Sequence, residues 1–195
     1  MHLISASRRT DIPAFYAGWF ARRLEAGFCH CLNPFNGSLR EVSLRPGDCA
    51  GIVCWTRHAA PLLPTLARWR GEGHRFAFHY TINGYPRRIE SHNPPVETAL
   101  RTFRSLSDLL GPERVWWRYD PVLLTPETPP AWHLRNFARL ARELSGYTAR
   151  CYFSFVSVYH KTRRNLAAAG VTLLEPETEA RRALAAELAS EALNR

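Results

Sequence analysis

Ala50-Gly51-Ile52-Val53-Cys54-Trp55 is an unbroken apolar run that closes on Thr56, Arg57 and His58, and a helical stretch, Ala59 to Arg70, leads from it into a second run, Arg75 to Thr81. Two short apolar runs joined by a helical crossover read as neighbouring strands of a parallel sheet, buried on both faces. The same unit recurs on either side. Upstream, His2 to Ala6 reads as a strand, Pro13 opens a helical stretch from Ala14 to Ala26 that Gly27 closes, and Phe28 to Leu32 reads as the second strand. The turn-forming Asn33-Pro34-Phe35-Asn36-Gly37 then leads to Leu39 to Leu44, an extra strand or hairpin arm. Downstream, Pro94-Pro95 introduces a long helix with Val96, Leu100, Phe103, Leu106, Leu109 and Leu110 at helical spacing, ended by Gly111. A strand from Arg114 to Arg118, a helix from about Ala131 to Leu144, a strand from Arg150 to Val156 and a helix from about Glu177 to Leu193 complete the pattern.

Six strands alternating with helices predict an α/β fold with a parallel sheet and helical crossovers. An open doubly wound sheet usually carries a glycine-rich first turn for phosphate, and Ser7-Arg8-Arg9-Thr10-Asp11 has none. The expectation is therefore an incomplete (β/α) barrel of the TIM-barrel type, one partial domain over residues 1–195. Eight such units take about 250 residues, so the first and sixth strands are expected as edges. A helix, a second copy of the chain or a second chain is expected to cover that gap.

The chain has 195 residues, 46% hydrophobic and 22% charged, which excludes disorder, collagen and coiled coil. No apolar run approaches the roughly 20 residues of a membrane span, so no membrane partner is expected. Five cysteines without a basic and apolar leader point to a reducing cytoplasm. The net charge of +9 points to an anionic small molecule or a nucleic acid as partner. Only Lys161 is a lysine, however, and the arginines are dispersed in pairs, a pattern that arginine-rich codon usage explains as readily as guanidinium chemistry.

Each predicted strand ends in a polar cluster: Ser7 to Asp11; Trp55, Thr56, Arg57 and His58; Thr81, Asn83 and Tyr85; Arg118, Tyr119 and Asp120; Ser154, Ser157, Tyr159, His160 and Lys161. A barrel gathers such ends at one rim. Arg118 and Asp120 are two apart and so point the same way from an extended backbone, as do Trp55 and Arg57. An arginine-rich rim suits an anion, because guanidinium binds phosphate or carboxylate through paired hydrogen bonds. The substrate-binding candidates are Arg8, Arg9, Trp55, Arg57, Thr81, Asn83, Arg118 and Tyr159. Asp11 and Asp120 are candidates for general base, for orienting an arginine or for capping the next helix, and Lys161 for a cation or acid at the same rim. Cys29 and Cys31 share a strand face and read as core packing. No metal-ligand spacing is present, and no metal is assigned. Trp55, Trp116-Trp117 and Trp132 read either as core or as platforms for stacked bases.

Ile4-Ser5-Ala6-Ser7-Arg8-Arg9-Thr10-Asp11-Ile12-Pro13, Asn33-Pro34-Phe35, Trp55-Thr56-Arg57, Trp117-Arg118-Tyr119-Asp120-Pro121 and Tyr159-His160-Lys161-Thr162 run in order over nearly the whole chain. Together they resemble the bacterial domain-of-unknown-function family 1848. Fuller members of that family continue into a cysteine-rich tail of the C-x-x-x-C-x-x-C kind, similar to the iron-sulfur loop of radical S-adenosylmethionine enzymes and of spore photoproduct lyase. The resemblance thus implies an iron-sulfur cluster and S-adenosylmethionine for the family. Residues 1–195 hold no cysteine at those ligand positions, so no cluster ligand carries over. The expected function is the binding of an anionic substrate at the C-terminal strand ends, as the substrate-binding part of a radical-SAM-like or DNA-repair-lyase-like enzyme. The alternatives are a non-catalytic nucleic-acid-binding module and a degenerate remnant of a longer enzyme.

Overall fold

The structure is a computed structural model that describes residues 1–7 and 9–193, with Lys161 described by its backbone alone. Strand β1 (His2–Ser5) leads into a short helix, α1 (Ile12–Phe15), and then α2 (Ala17–Ala26). The single helix expected there is broken at Tyr16, whose backbone (φ −129°, ψ 22°) leaves the helical region. Gly27 ends α2 as expected, in the left-handed conformation (φ 78°), with its N–H bonded to the carbonyls of Arg23 and Leu24.

Strands β2 (Phe28–Leu32) and β3 (Leu39–Ser43) follow, then β4 (Cys49–Thr56), α3 (Leu63–Gly71), β5 (Phe76–Thr81), α4 (Val96–Leu110), β6 (Val115–Val122), α5 (Pro130–Leu144) and β7 (Cys151–Phe155). The described chain closes with α6 (His160–Ala168) and α7 (Thr178–Leu193). The first of these, α6, lies between the expected strand Arg150 to Val156 and the expected helix from about Glu177, where the sequence reading has no helix.

Five strands, not six, form the main sheet, in the order β1-β4-β5-β6-β7 and all parallel. The sheet is curled into a half-barrel. Phe28–Leu32, expected as its second strand, instead pairs antiparallel with β3 in a separate two-stranded sheet, Phe28 opposite Ser43 and Leu32 opposite Leu39. The tight turn after Leu32, closed by the Asn33 N–H to Ser38 carbonyl bond of 2.8 Å, is too short for a parallel crossover and makes β2 and β3 a hairpin, while β4 takes the place beside β1. The hairpin is thus an insertion in the crossover between β1 and β4.

Because strand order never reverses, right-handed crossovers carry the helices to one face of the sheet. On that face Phe76, Phe78, Tyr80, Val115, Trp117 and Tyr119 are buried against α4 and α5, with Phe103 5.6 Å from the Tyr80 ring and Phe137 4.7 Å from that of Trp117. Burying each such side chain contributes roughly 1.5–3 kcal/mol, which makes this layer the main source of stability. Helix α7 packs on α5 through buried Leu184 and Leu188.

The alternate residues point to the concave side: Trp55 on β4, His79 and Thr81 on β5, Trp116, Arg118 and Asp120 on β6, Tyr152 and Ser154 on β7. They are half-buried or exposed, and none belongs to the buried core. Among the described residues no helix is long and apolar enough to cross a membrane.

Candidate functional site

The C-terminal ends of β4, β5, β6 and β7 bring one charged cluster together. Asn83, just past β5 and nearly inaccessible, is its hub. Its side-chain oxygen accepts from the Asp120 N–H at 2.8 Å, while its amide nitrogen lies 3.2 Å from the Asp120 carbonyl and 3.1 Å from Glu90. Its own carbonyl accepts from Asn136 of α5 at 2.7 Å, which fixes the loop to the helix layer. Arg57 donates to the Glu90 carboxylate and, at 3.3 Å, to the Asp120 carbonyl. The Asp120 carboxylate accepts from Arg118 on one oxygen and from the Ser154 hydroxyl on the other.

Arg57, Asn83, Arg118 and Asp120, which lie on three separate strand units, therefore meet as expected. Thr81 joins them at the wall of a small neighbouring recess. Glu90 and Ser154 complete the cluster without having been singled out as site residues. Ser154 carries the same strand-end signal as Asp120. Glu90 sits in the connection between β5 and α4, and the length of that connection, residues 82–95, was its only sign, since long loops in compact domains tend to be functional.

The other candidates are placed differently. Asp11 caps α1 through the Ala14 N–H (3.0 Å), accepts the Thr56 hydroxyl on the same oxygen (2.7 Å) and takes the Arg57 N–H on the other (2.9 Å). Its carboxylate is thus occupied in tying α1 to the end of β4. Arg9, in the connection between β1 and α1, donates to the Leu32 carbonyl at 2.7 Å, which ties its guanidinium to the hairpin. Tyr159 precedes α6 and is 72% exposed. Arg8 and the side chain of Lys161 lie outside the described residues.

Trp55 lies on the concave face, stacked on His79 with ring centroids 4.9 Å apart and planes 3° from parallel. Trp116 meets the same imidazole edge-on at 4.8 Å, whereas Trp117 is buried and Trp132 stacks on Tyr85. Burial, reinforced by the Arg118 charge, pushes His79 down to about 4, so its ring is neutral at pH 7.

Two cavities are candidates for a ligand site. One of about 350 Å³ at the strand ends is walled by Arg57, Asn83, Tyr85, Glu90, Leu123 and Leu166. A larger one, about 410 Å³, lies between β1, α2 and the hairpin, with Leu3, Trp19, Cys29 and Val42 in its walls. The larger cavity holds none of the candidate residues, and the convergence of charged side chains makes the strand ends the better site.

The cysteines do not fit an iron-sulfur cluster. Cys29 and Cys31 are on the hairpin, Cys49 and Cys54 on β4, and Cys151 on β7, and no three metal-ligating side chains gather among the described residues. Burial also pushes the Cys151 thiol up to about 12 and that of Cys54 higher still, which keeps both protonated.

No curated protein and no solved structure matches the chain. The model of the family described as "Domain of unknown function (DUF1848)" matches residues 3–195, the span that holds both the five-stranded sheet and the charged cluster. The chain belongs to the DUF1848 family.

Proposed function

We propose that the protein binds an anionic substrate at the C-terminal ends of its parallel strands, with Arg118 as the group that holds the negative charge. One observation carries this reading. Arg118 spends one guanidinium nitrogen on Asp120, and its remaining N–H groups have no hydrogen-bond partner among the described residues, on a side of the sheet that no core residue covers. Asp120, itself held by Ser154 and through its backbone by Asn83, is a positioning residue that fixes the guanidinium plane. Arg57 is already neutralised by Glu90 and supports the cluster from behind.

Titration calorimetry with inorganic phosphate tests the proposal. Losing one charge-assisted contact of about 2 kcal/mol weakens binding about thirtyfold in Arg118→Gln, and Arg9→Gln leaves it unchanged. Equal affinity in Arg118→Gln and the parent protein overturns the reading. Binding of duplex DNA that falls by orders of magnitude between low and physiological salt and tolerates Asp120→Ala instead favours the nucleic-acid-binding alternative.

A further inference from the structure

The concave face carries a row of rings that the anion site alone does not use. In the register of the sheet, Trp55 on β4 pairs with His79 on β5, and His79 pairs with Trp116 on β6. One step toward the strand ends, Thr81 pairs with Arg118 and Arg118 with Tyr152. Tyr152 leans back to within 5.2 Å of His79 and 6.4 Å of Trp116. Four rings thus form a contiguous aromatic floor of inclined rings beside a single guanidinium, Trp55 and His79 face to face and Trp116 edge-on to Tyr152.

Three features distinguish this floor from ordinary core. It lies on the side of the sheet opposite the helices, and Tyr152 remains 40% exposed. Trp116 is held in place by its indole N–H, which donates to the Glu113 carbonyl at 2.9 Å, so the platform is formed before anything binds. Nδ1 of His79, enclosed among these rings, is buried without a hydrogen-bond partner, a cost that ordinary core avoids.

We infer that this face binds a small molecule in which a planar ring is joined to an anionic group, the ring packing in the angle between Trp116 and Tyr152, stacked on one and edge-on to the other, and the charge on Arg118. The spacing sets the ligand's dimensions. Trp116 and Arg118 leave β6 about 7 Å apart on the same face, so a ligand that reaches both carries its ring and charge on a short tether. A ring-bearing phosphate and an aromatic carboxylate on a short tether share this chemistry. The inference rests on the proposed anion site and specifies the substrate class for it.

Four probes in titration calorimetry test it: inorganic phosphate, adenosine, adenosine monophosphate and indole-3-propionate. Either or both ring-bearing anions are expected to bind at least tenfold more tightly than phosphate or adenosine, and whichever does so identifies the source of the charge. Trp116→Ala and, as an independent variant on the edge strand, Tyr152→Ala are expected to lower that affinity about tenfold each, the usual yield of a lost stacking contact, with phosphate binding unchanged. Arg118→Gln abolishes the advantage of the charged ring over the neutral one. Ring-bearing anions that bind no better than phosphate, or that are indifferent to both aromatic substitutions in proteins with unchanged circular dichroism, overturn this inference and leave the anion site standing. Failure of phosphate and of both ring-bearing anions to bind overturns the two readings together.

Discussion

Replacing Asp11 separates a strut from a catalytic base. Its Oδ1 accepts two hydrogen bonds, from Ala14 N and the Thr56 hydroxyl, and its Oδ2 accepts the Arg57 N–H. Asp11→Ala removes all three. Loss of a helix cap costs about 1 kcal/mol, and a hydrogen bond to a charged group contributes about 1.5–3 kcal/mol. The site is only partly buried, so water recovers part of the loss, and the expected cost is about 3 kcal/mol. For a chain of this size, each kcal/mol moves Tm by about 2–4 °C, which gives a drop of about 6–12 °C. Asp11→Asn keeps an acceptor for Ala14 and Thr56 and gives up only the bond to Arg57 N, so about 1 kcal/mol is expected from it. Differential scanning calorimetry and urea denaturation of the three proteins provide the measurement, with phosphate affinity recorded alongside. The reasoning is refuted if Asp11→Ala melts within 2 °C of the parent, about the least that 1 kcal/mol would produce.

Two further outcomes follow from buried groups. His133 is inaccessible, and its Nε2 faces the Leu123 carbonyl, which can only accept. Nε2 therefore carries the proton and Nδ1 accepts the Tyr119 hydroxyl. Burial pushes His133 down to about 4. The unfolded chain then binds a proton that the folded one does not, so the stability held above pH 6.5 is lost as pH falls toward 4, by about 3 kcal/mol for this residue. Urea midpoints at pH 7.5, 5.5 and 4 are expected to fall more steeply in the parent than in His133→Gln; parallel curves contradict the assignment. Glu90→Gln leaves the Arg57 charge without its partner while keeping an acceptor for Asn83. A stability loss of about 2 kcal/mol is expected, together with a gain in phosphate affinity from the freed cation; unchanged affinity and unchanged Tm contradict the pairing.

Much of the strand-end site was legible because strand geometry is periodic. Arg118 and Asp120, two apart on β6, had to share a face, and once β5 and β6 were recognised as neighbours the meeting of Asn83 with Asp120 followed. What misled was local length and direction. Phe28–Leu32 has a strand's composition, yet the short link to Leu39 decides its partner, and pairing it with β3 removed one strand from the sheet. Arg9 reads as a rim residue because it falls in the polar cluster that follows β1. In fact its guanidinium is bonded to the hairpin, an insertion whose position no periodicity encodes. Glu90 has no repeating neighbour to flag it, and its role emerges only from the folded path of the 82–95 connection. The aromatic floor was half visible. Alternation put Trp116 and Trp117 on opposite faces, but which face lay open depended on all the crossovers having one hand.

The most direct test of the central claim is side-chain NMR of the arginine Nε–Hε groups during titration with a phosphate-bearing ligand, the Arg118 signal being assigned by its loss in Arg118→Gln. The account predicts that Arg118 shifts first and furthest, while Arg9, bonded to the hairpin, and the exposed arginines of the helices stay still. Shifts spread evenly over the arginines, or a saturable response confined to residues other than Arg118, would contradict it.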